Sequence, residues 1–394
     1  MARAIPLMNG LSLRGKRGHD RRMTLWTDPA WPNFTHDAAR TEGPLAAFSA
    51  RLGAIAGLQA ALTPDERREA FLRAVTMEAV ASFAIEGASL PAAQVQASVV
   101  ASLAHRGAEP QRRSDAIADL MLQARAGDGP MRAGTLWHWH RLLFHGVEVE
   151  DKGRWRRFDM VITRSNAAGR EDVLYAAPPP DRVPAMMDDF LAALEADRRP
   201  LPIRAAIAHL WFESIHPFSD GNGRLGRALV EHVFAREAAL PFSLSRQIEA
   251  DKRGYYAALQ AGRRVAGGVI DATPFVLWFL ERLIAGVDAA VGDARFLVRR
   301  NAFFLRHAMP ARAEAVLRRL FAEGPGRVAQ GISAAPYARI AGVSAATATR
   351  DLAELEAAGI LRRGPEGGRS TRYLLVLPDD APDFGGLQAV DPTR

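Results

Sequence analysis

The sequence contains no cysteine among its 394 residues. This absence excludes disulfide bonds and thiolate metal sites, and nothing in the composition indicates an oxidising compartment. The chain also lacks any run of about 18 or more apolar residues, so we expect no transmembrane helix and no membrane partner. The N-terminus has no continuous apolar signal-peptide core. We therefore expect a cytoplasmic protein.

Basic side chains are concentrated at the two ends of the chain, which has a formal net charge of +7. Residues 1–22 carry six basic and one acidic side chain, and residues 311–375 carry ten basic and six acidic ones. We expect residues 1–22 to be a flexible basic tail and residues 379–394 to be an acidic tail. The length allows two or three domains with substantial apolar cores.

The twelve residues 216–227, HPFSDGNGRLGR, are the most informative segment of the chain. Apolar side chains repeat at helical spacing before this segment, over residues 203–215, and again after it at Leu225, Leu229 and Val233. The pattern predicts two helices joined by a tight loop, with the second helix beginning near Gly223. Free backbone N–H groups and the positive end of the helix dipole make such a loop a natural anion site.

Each polar residue of this segment has a chemical role that fits a phosphate-bearing ligand. His216 titrates near neutral pH and can accept a proton from a hydroxyl group. Asp220 is a hard oxygen ligand for Mg²⁺ or Mn²⁺. Arg224 and Arg227 lie three residues apart in the first helical turn and can grip phosphates. The alternative is a simple helix–helix turn with solvated arginines, but the ordered set favours a phosphate site.

The segment resembles the signature of the Fic family, HxFx(D/E)GNGRxxR, at every fixed position. Family membership implies a mainly α fold, with a Fic-type helical core and a small β-hairpin flap. It also implies transfer of a nucleotide monophosphate, usually AMP from ATP, to the hydroxyl of a protein Ser, Thr or Tyr. The expected partners are therefore a target protein and the enzyme itself, which would undergo auto-AMPylation. A homodimer is a further expectation from the family.

The resemblance implies a role for most residues of the segment. His216 would deprotonate the target hydroxyl, and Asp220 would hold the metal ion that bridges the α- and β-phosphates. Arg227 would orient the γ-phosphate. The remaining residues would form the nucleotide pocket, with Phe218 as a packing anchor; they are Phe218, Gly221, Asn222, Gly223 and Arg224.

A second motif lies upstream at the end of a helical pattern over residues 71–85. Ser82-Phe-Ala-Ile-Glu86-Gly87 resembles the inhibitory motif of the family, (S/T)xxxE(G/N), and Gly87 is suited to end the helix. The resemblance implies that Glu86 pairs with Arg227 and leaves ATP in an unproductive pose. An N-terminal position of this motif is typical of one class of Fic proteins.

Two further features of the core are less specific. Residues 159–163 and 172–175 read as strands around the turn 165–169, which predicts a hairpin. It resembles the flap of the family, whose residues Met160, Val161 and Ile162 would pair with the backbone of the target; a purely structural hairpin is the alternative. Tyr256 would lie near the adenine, although Tyr255 and Tyr256 could equally be core residues.

The C-terminal region predicts three helices, over residues 311–321, 334–341 and 345–359, followed by strands 360–363 and 371–375. The arrangement resembles a winged helix-turn-helix domain. Five side chains would contact DNA, namely Thr347, Arg350, Arg362, Arg363 and Arg369. Protein docking or dimerisation is the alternative use of such a domain.

These patterns predict a modular chain. Residues 23–105 would form an N-terminal helical module with the inhibitory helix, residues 106–300 the Fic core, and residues 301–378 the winged domain. The leading function is an autoinhibited AMP transferase. The alternatives are a DNA-binding regulator whose core senses a nucleotide, and an enzyme that removes AMP at the same site. The sequence does not indicate the target protein, the modified residue or a DNA site.

Overall fold

The structure, a computed structural model, describes residues 2–6, 21–105, 109–165, 171–365 and 371–378. The protein is mainly helical with three small β-sheets in these residues, which confirms the predicted fold class. No helix within the described ranges is both long and apolar enough to cross a membrane. The predicted turn of the hairpin, the tip of the predicted wing with Arg369, and the acidic tail lie outside the described residues.

The helices are α1 (Ala38–Ala60), α2 (Pro64–Ile85), α3 (Ala92–Ala104), α4 (Arg113–Ala126), α5 (Ala133–Leu143), α6 (Val183–Ala196), α7 (Leu201–Ile215), α8 (Asn222–Ala235), α9 (Leu244–Ala250), α10 (Lys252–Ala261), α11 (Thr273–Arg306), α12 (Ala311–Ala322), α13 (Pro325–Gln330), α14 (Ala334–Ala341) and α15 (Ala345–Ala357). The strands are β1 (Ala2–Pro6), β2 (Phe34–Thr35), β3 (Met160–Ser165), β4 (Glu171–Ala176), β5 (Arg264–Ala266), β6 (Val269–Asp271), β7 (Leu361–Arg363) and β8 (Tyr373–Leu375). A short 3₁₀ segment covers Arg21–Thr27.

The chain divides into two compact units. The first unit comprises Met1–Gly53 and Arg67–Ala290, and the second comprises Ala54–Glu66 and Val291–Arg394. The predicted boundary lies at residue 300, and residues 54–66 were not expected to belong to the C-terminal part.

Helices α7 and α8 form the centre of the first unit, because nearly all of their side chains are buried. All residues of α7 from Ala205 to Ile215 are buried. Helix α7 ends where His216 adopts the left-handed conformation, with φ 53° and ψ 59°. Helix α8 begins after Gly221, which also has a positive φ of 78°. Two left-handed residues therefore bound a loop of only a few residues between the two helices.

Strands β3 and β4 form the predicted hairpin, with a register shift between Ile162 and Thr163. Strand β1 pairs antiparallel with the other edge of β3, from Ala2 opposite Arg164 to Pro6 opposite Met160. We expected residues 1–22 to be a flexible tail, yet residues 2–6 form a strand. An edge strand presents unpaired N–H and C=O groups, and an extended segment of any sequence can satisfy them.

The second unit has its own apolar core, built from α12, α14, α15 and the hairpin β7–β8. Val316, Leu320, Tyr337 and Leu352 are completely buried in it. Asp351 ties three helices together, since it accepts hydrogen bonds from Arg312 at 2.8 Å and from the hydroxyl of Tyr337 at 2.9 Å. The three helices and two strands predicted for this unit are observed within a few residues at each end, whereas α13 was not predicted.

Candidate active site

The first unit contains a cavity of about 730 Å³, which is bordered by the loop that joins α7 to α8. Its walls come from the end of α2, the hairpin β3–β4, the α7–α8 loop and α10. The residues that matter most for its chemistry are Glu86, Glu213, His216, Asp220, Gly223 and Tyr256. The volume is typical of pockets that hold a ligand the size of a nucleotide.

The backbone of His216 is fixed on both sides. Its N–H donates to the carbonyl of Phe212 at 2.9 Å, and its carbonyl accepts from Nε of Arg156 at 2.8 Å. Arg156 also donates to the carbonyls of Phe158 and Pro178, and its own N–H donates to the carbonyl of Pro217. Burial lowers the pKa of Arg156 to about 10. Arg156 was not predicted as a site residue, because the sequence around a single arginine does not show that it will bind backbone carbonyls.

The imidazole of His216 lies beside the buried carboxylate of Glu213, which was also not predicted as a site residue. Nδ1 of His216 is 3.7 Å from Oε2 of Glu213, and each side chain is less than a tenth exposed. Burial alone would raise the pKa of Glu213, but His216, His209 and Arg263 lower it to about 2. Glu213 is therefore ionised at neutral pH.

Asn222 and Phe218 shape the loop, and Asn222 also lines the cavity. The side chain of Asn222 accepts from the N–H of Phe218 at 2.9 Å and donates to its carbonyl at 2.8 Å. The ring of Phe218 is fully buried and stacks on His140 at 4.4 Å. His140 is satisfied at both ring nitrogens, since Nδ1 accepts from Gly153 and Nε2 lies 3.3 Å from the carbonyl of Asp220.

Asp220 projects from the loop with a side chain that is 60% exposed. Its Oδ1 accepts from the N–H of Gly221 at 2.6 Å and from Arg224 at 3.1 Å. Among the described residues, no group of three or more His, Asp or Glu side chains is arranged as a metal site. Mg²⁺ is usually held by one or two carboxylates together with substrate phosphates. A single exposed carboxylate at the cavity therefore fits such an ion.

Arg224 is buried between two aromatic rings. Its guanidinium lies 5.1 Å from the ring centres of both Phe83 and Phe144. Burial lowers its pKa, although the charges of Asp220 and Glu86 oppose that effect. These contacts hold the arginine head at the cavity wall.

Arg227 is almost completely buried and is bound by the end of α2. Its Nε donates to the hydroxyl of Ser82 at 2.9 Å, and its Nη2 donates to the carbonyl of Ser82 at 2.8 Å. Nη2 also pairs with Oε1 of Glu86 at 2.9 Å. The upstream motif at residues 82–87 and the segment 216–227 are thus in direct contact, as the resemblance implied.

Gly223 lies where Glu86 and Arg227 meet. A Cβ atom at this position would be 2.5 Å from Oε1 of Glu86 and 3.0 Å from Nη1 of Arg227. Gly87 follows Glu86 with a positive φ of 79°, which lets the chain leave α2 directly after the carboxylate. Glycine at both positions allows the close approach of α2 to the start of α8.

The two tyrosines and Arg263 line the far side of the cavity. Tyr255 is buried and its hydroxyl lies 2.8 Å from Nε2 of His209, so it is mainly a core residue. Tyr256 is partly exposed and borders the cavity. Arg263 donates to the carbonyl of Glu213 and to the hydroxyl of Ser214, each at 2.9 Å. Arg263 therefore fixes the end of α7.

The predicted flap residues divide between core and cavity. Met160 and Val161 are buried, whereas Ile162 lines the cavity together with Leu174. Ile162 is thus the one of the three that borders the same cavity as His216.

Comparison with known families decides the classification. Residues 130–234, which contain the α7–α8 loop, match the model of the Fic/DOC family. This part of the chain is similar to a Fic domain. Residues 25–104 match a second family model, a domain of unknown function termed DUF4172. The first match includes residues 216–227 and agrees with the resemblance of that segment to the Fic signature.

Curated relatives of the Fic domain share only part of their length with this chain. Protein adenylyltransferase fic-1 of Caenorhabditis elegans is 28% identical over 154 residues, which are 39% of this chain and 27% of that protein. A probable protein adenylyltransferase of Aquifex aeolicus is 33% identical over 106 residues, which are 27% of this chain and 30% of that protein. The chain thus spans less than a third of the length of these relatives.

Among solved structures, a Fic family protein from Desulfovibrio desulfuricans G20 is similar at 27% identity. The similarity covers 84% of this chain and 95% of that one, with a TM-score of 0.46.

Outside the Fic domain, the predicted DNA-contacting residues lie in the second unit. Ser344 caps α15 by accepting from the N–H of Thr347 at 3.2 Å. Arg350 and Arg362 are exposed. Arg363 is exposed but pairs with Glu356 at 2.9 Å.

Proposed function

We propose that the protein is an adenylyltransferase that moves AMP from ATP to a protein hydroxyl and is autoinhibited by Glu86. The observation that carries the proposal is the meeting of three groups at one cavity. His216 supplies a base, the α7–α8 loop supplies an anion site, and Arg227 is held by Glu86. The names of the relatives, protein adenylyltransferases, support this activity.

The chemistry needs only groups that border the cavity. Nε2 of His216 accepts the proton of a target Ser, Thr or Tyr hydroxyl. The hydroxyl oxygen forms a bond to the α-phosphorus of ATP, and the bond from that phosphorus to the bridging oxygen of the β-phosphate breaks. Pyrophosphate leaves with the electron pair, and AMP stays on the target. The backbone N–H groups at the start of α8 stabilise the phosphate charge.

Asp220 would hold Mg²⁺ or Mn²⁺ against the phosphates. When bound, the ion neutralises negative charge on phosphate oxygens and favours departure of pyrophosphate. The exposed Asp220 carboxylate keeps one oxygen bonded to Arg224 and Gly221, which orients the group towards the cavity.

Inhibition of AMP transfer follows from competition between Glu86 and the γ-phosphate of ATP for Arg227. The γ-phosphate of a productively bound ATP needs a guanidinium that Glu86 already occupies. Arg227 is 1% exposed and Glu86 is 32% exposed, so displacing Glu86 strands the buried guanidinium until a γ-phosphate replaces the carboxylate, at a cost of up to about 3–5 kcal/mol. ATP with its γ-phosphate elsewhere would not align the α-phosphorus with His216.

Two other functions use the same residues. Glu86 could position a water molecule for removal of AMP from a modified protein. A nucleotide sensor that regulates transcription would also bind ATP here, but it would not need the base. The presence of His216 with a neighbouring ionised Glu213 favours transfer chemistry.

The test is incorporation of AMP from ATP labelled on its α-phosphate. We expect the Glu86→Gly protein to label itself more strongly than the wild type, and the Glu86→Gly/His216→Ala protein to show no labelling. ATP binding, measured by calorimetry, should persist in the double variant. Equal labelling with and without His216 would overturn the proposal.

We further propose that the second unit is a winged helix domain that binds duplex DNA. The observation that favours this use is the capped N-terminus of α15, which exposes Arg350, together with the exposed Arg362 on β7. Arg363 is a weaker candidate because Glu356 already pairs with it. A mobility shift that weakens with salt and is reduced by Arg350→Ala would support DNA binding. No shift at low salt would favour protein docking instead.

A further inference from the structure

Glu213 is the buried carboxylate that faces the proposed base. Its side chain is 7% exposed and that of His216 is 8% exposed, so little water separates them. The gap of 3.7 Å between Oε2 of Glu213 and Nδ1 of His216 exceeds a hydrogen bond but is within ion-pair reach. Oε1 of Glu213 and Nδ1 of His216 have no hydrogen-bond partner among the described residues. Catalytic hydrogen bonds are often this long before substrate binds and tighten afterwards.

The backbone of His216 cannot set the direction of its ring. Phe212 and Arg156 hold the main chain of His216, as described above, but neither contact reaches the imidazole. His216 ends α7 in the left-handed conformation, and its Nδ1 lies 3.7 Å from a side chain on the last turn of that helix. The side chain on that turn that lies beside Nδ1 is Glu213, three residues earlier.

We propose that Glu213 is the positioning residue of His216: it holds the proton on Nδ1, so that Nε2 presents its lone pair to the target hydroxyl. This inference rests on the proposed function, because it gives the base of that reaction its tautomer. The same charge compensates the imidazolium that forms when Nε2 takes the proton. A carboxylate in this role orients a histidine without itself accepting the proton.

Other charged or titratable groups also surround the Glu213–His216 pair. His209 lies one turn earlier on α7, Arg227 lies on α8, and Arg263 follows α10; each acts on the charge of Glu213. Tyr255 on α10 is also close, with a pKa that burial raises well above its usual value. Arg227 and Arg263 favour the ionised form of Glu213. They do not replace it at Nδ1, because a guanidinium is a donor and not an acceptor.

The experiment reads the tautomer directly and does not depend on activity. Nitrogen-15 NMR of histidine-labelled protein identifies His216 as the signal that is lost in His216→Ala. We expect a neutral ring with its proton on Nδ1 in the wild type and in the control Glu237→Gln. We expect Glu213→Gln to abolish this preference and Glu213→Asp to retain part of it. A wild-type ring protonated on Nε2 would overturn the inference, even if every Glu213 variant failed to fold.

Kinetics in the Glu86→Gly background separate positioning from mere packing. We expect Glu213→Gln to lower kcat by roughly 10- to 1,000-fold, with the affinity for ATP nearly unchanged. The acidic limb of the pH–rate profile should move to lower pH, because removing the negative charge makes the imidazole less basic. A loss of rate with an unchanged tautomer and an unmoved profile would show that Glu213 only packs. Complete inactivity of Glu86→Gly itself would instead count against the proposed function and leave the NMR result interpretable.

Discussion

Arg227 and Glu86 form an ion pair of 2.9 Å across 141 positions of the sequence. The arginine is 1% exposed while the carboxylate is 32% exposed. The two partners therefore differ in their access to solvent. The guanidinium is enclosed by protein, whereas the carboxylate just after α2 can move into solvent. Restraint by Glu86 would accordingly be lifted by movement of the end of α2 and not by rearrangement of α8.

Ser82 anchors Arg227 independently of Glu86. Replacement by alanine would leave the buried Nε–H without an acceptor, and we expect Ser82→Ala to lower the free energy of unfolding by about 1–3 kcal/mol. Ser49→Ala is a matched control, because its hydroxyl bonds to the carbonyl of Leu45 on an exposed part of α1. That control should change stability by less than about 0.5 kcal/mol. Equal effects in urea denaturation would contradict the anchoring role.

Gly223 and Glu86 should be energetically coupled. In the wild type, the methyl group of Gly223→Ala would displace the Glu86 carboxylate, since the two would be 2.5 Å apart. In the Glu86→Gly background the conflict with the carboxylate disappears and only the 3.0 Å approach to Nη1 of Arg227 remains, while alanine is the better helix former, so Gly223→Ala should cost less. We expect the cost of Gly223→Ala to differ by about 1 kcal/mol between the two backgrounds. Additive effects in the double-mutant cycle would show that the two residues are independent.

Arg156 should be needed for catalysis more than for ATP binding. It holds the carbonyls of His216 and Pro178 with a planar fork that lysine cannot reproduce. In the Glu86→Gly background we expect Arg156→Lys to lower transfer by about 10-fold or more, while ATP affinity changes little. Arg157→Lys is the control, because the side chain of Arg157 is 71% exposed. Similar rates for both variants would refute the positioning role of Arg156.

Acid should destabilise the first unit in two stages. Burial lowers the pKa of His140 to about 4. As pH falls below about 6.5, this histidine takes up a proton in the unfolded chain but not in the folded one, so the free energy of unfolding falls until about pH 4. Glu213 has a pKa lowered to about 2, so its contribution is present above about pH 4.5 and is lost as pH falls to about 2. Each stage corresponds to roughly 3 kcal/mol. Urea titrations across this range should show the first stage reduced in His140→Gln; an identical pH dependence would contradict the assignment.

The sequence predicted the parts of the site that lie close together in the chain. The loop at residues 216–227 and the helix ending at Glu86 both carry recognisable strings, and their contact followed from the resemblance. The structural roles of Arg156, Glu213 and Arg263 were not predicted, because they depend on carbonyls and rings that only the folded chain brings near. Asn222 was expected to face phosphates; its side chain closes the loop around Phe218, and the residue also lines the cavity.

The arrangement at the chain ends was less predictable for a similar reason. Pairing of β1 with β3 uses backbone groups, so the side chains of residues 2–6 give no periodic signal that would distinguish a strand from a tail. The core of the second unit was predictable, because α12, α14 and α15 each carry a strong apolar stripe. Its small β7–β8 hairpin was also anticipated from the glycine-rich turn.

The central claim is that Glu86 withholds Arg227 from ATP, and the initial rate of AMP incorporation at saturating ATP tests it most directly. The wild type, Glu86→Gly and Glu86→Gly/Arg227→Ala should be compared at equal concentration. The account predicts that Glu86→Gly exceeds the wild type by roughly 100-fold, in line with a pair worth about 3 kcal/mol, and that the further loss of Arg227 reverses the gain. A Glu86→Gly protein no faster than the wild type would contradict it.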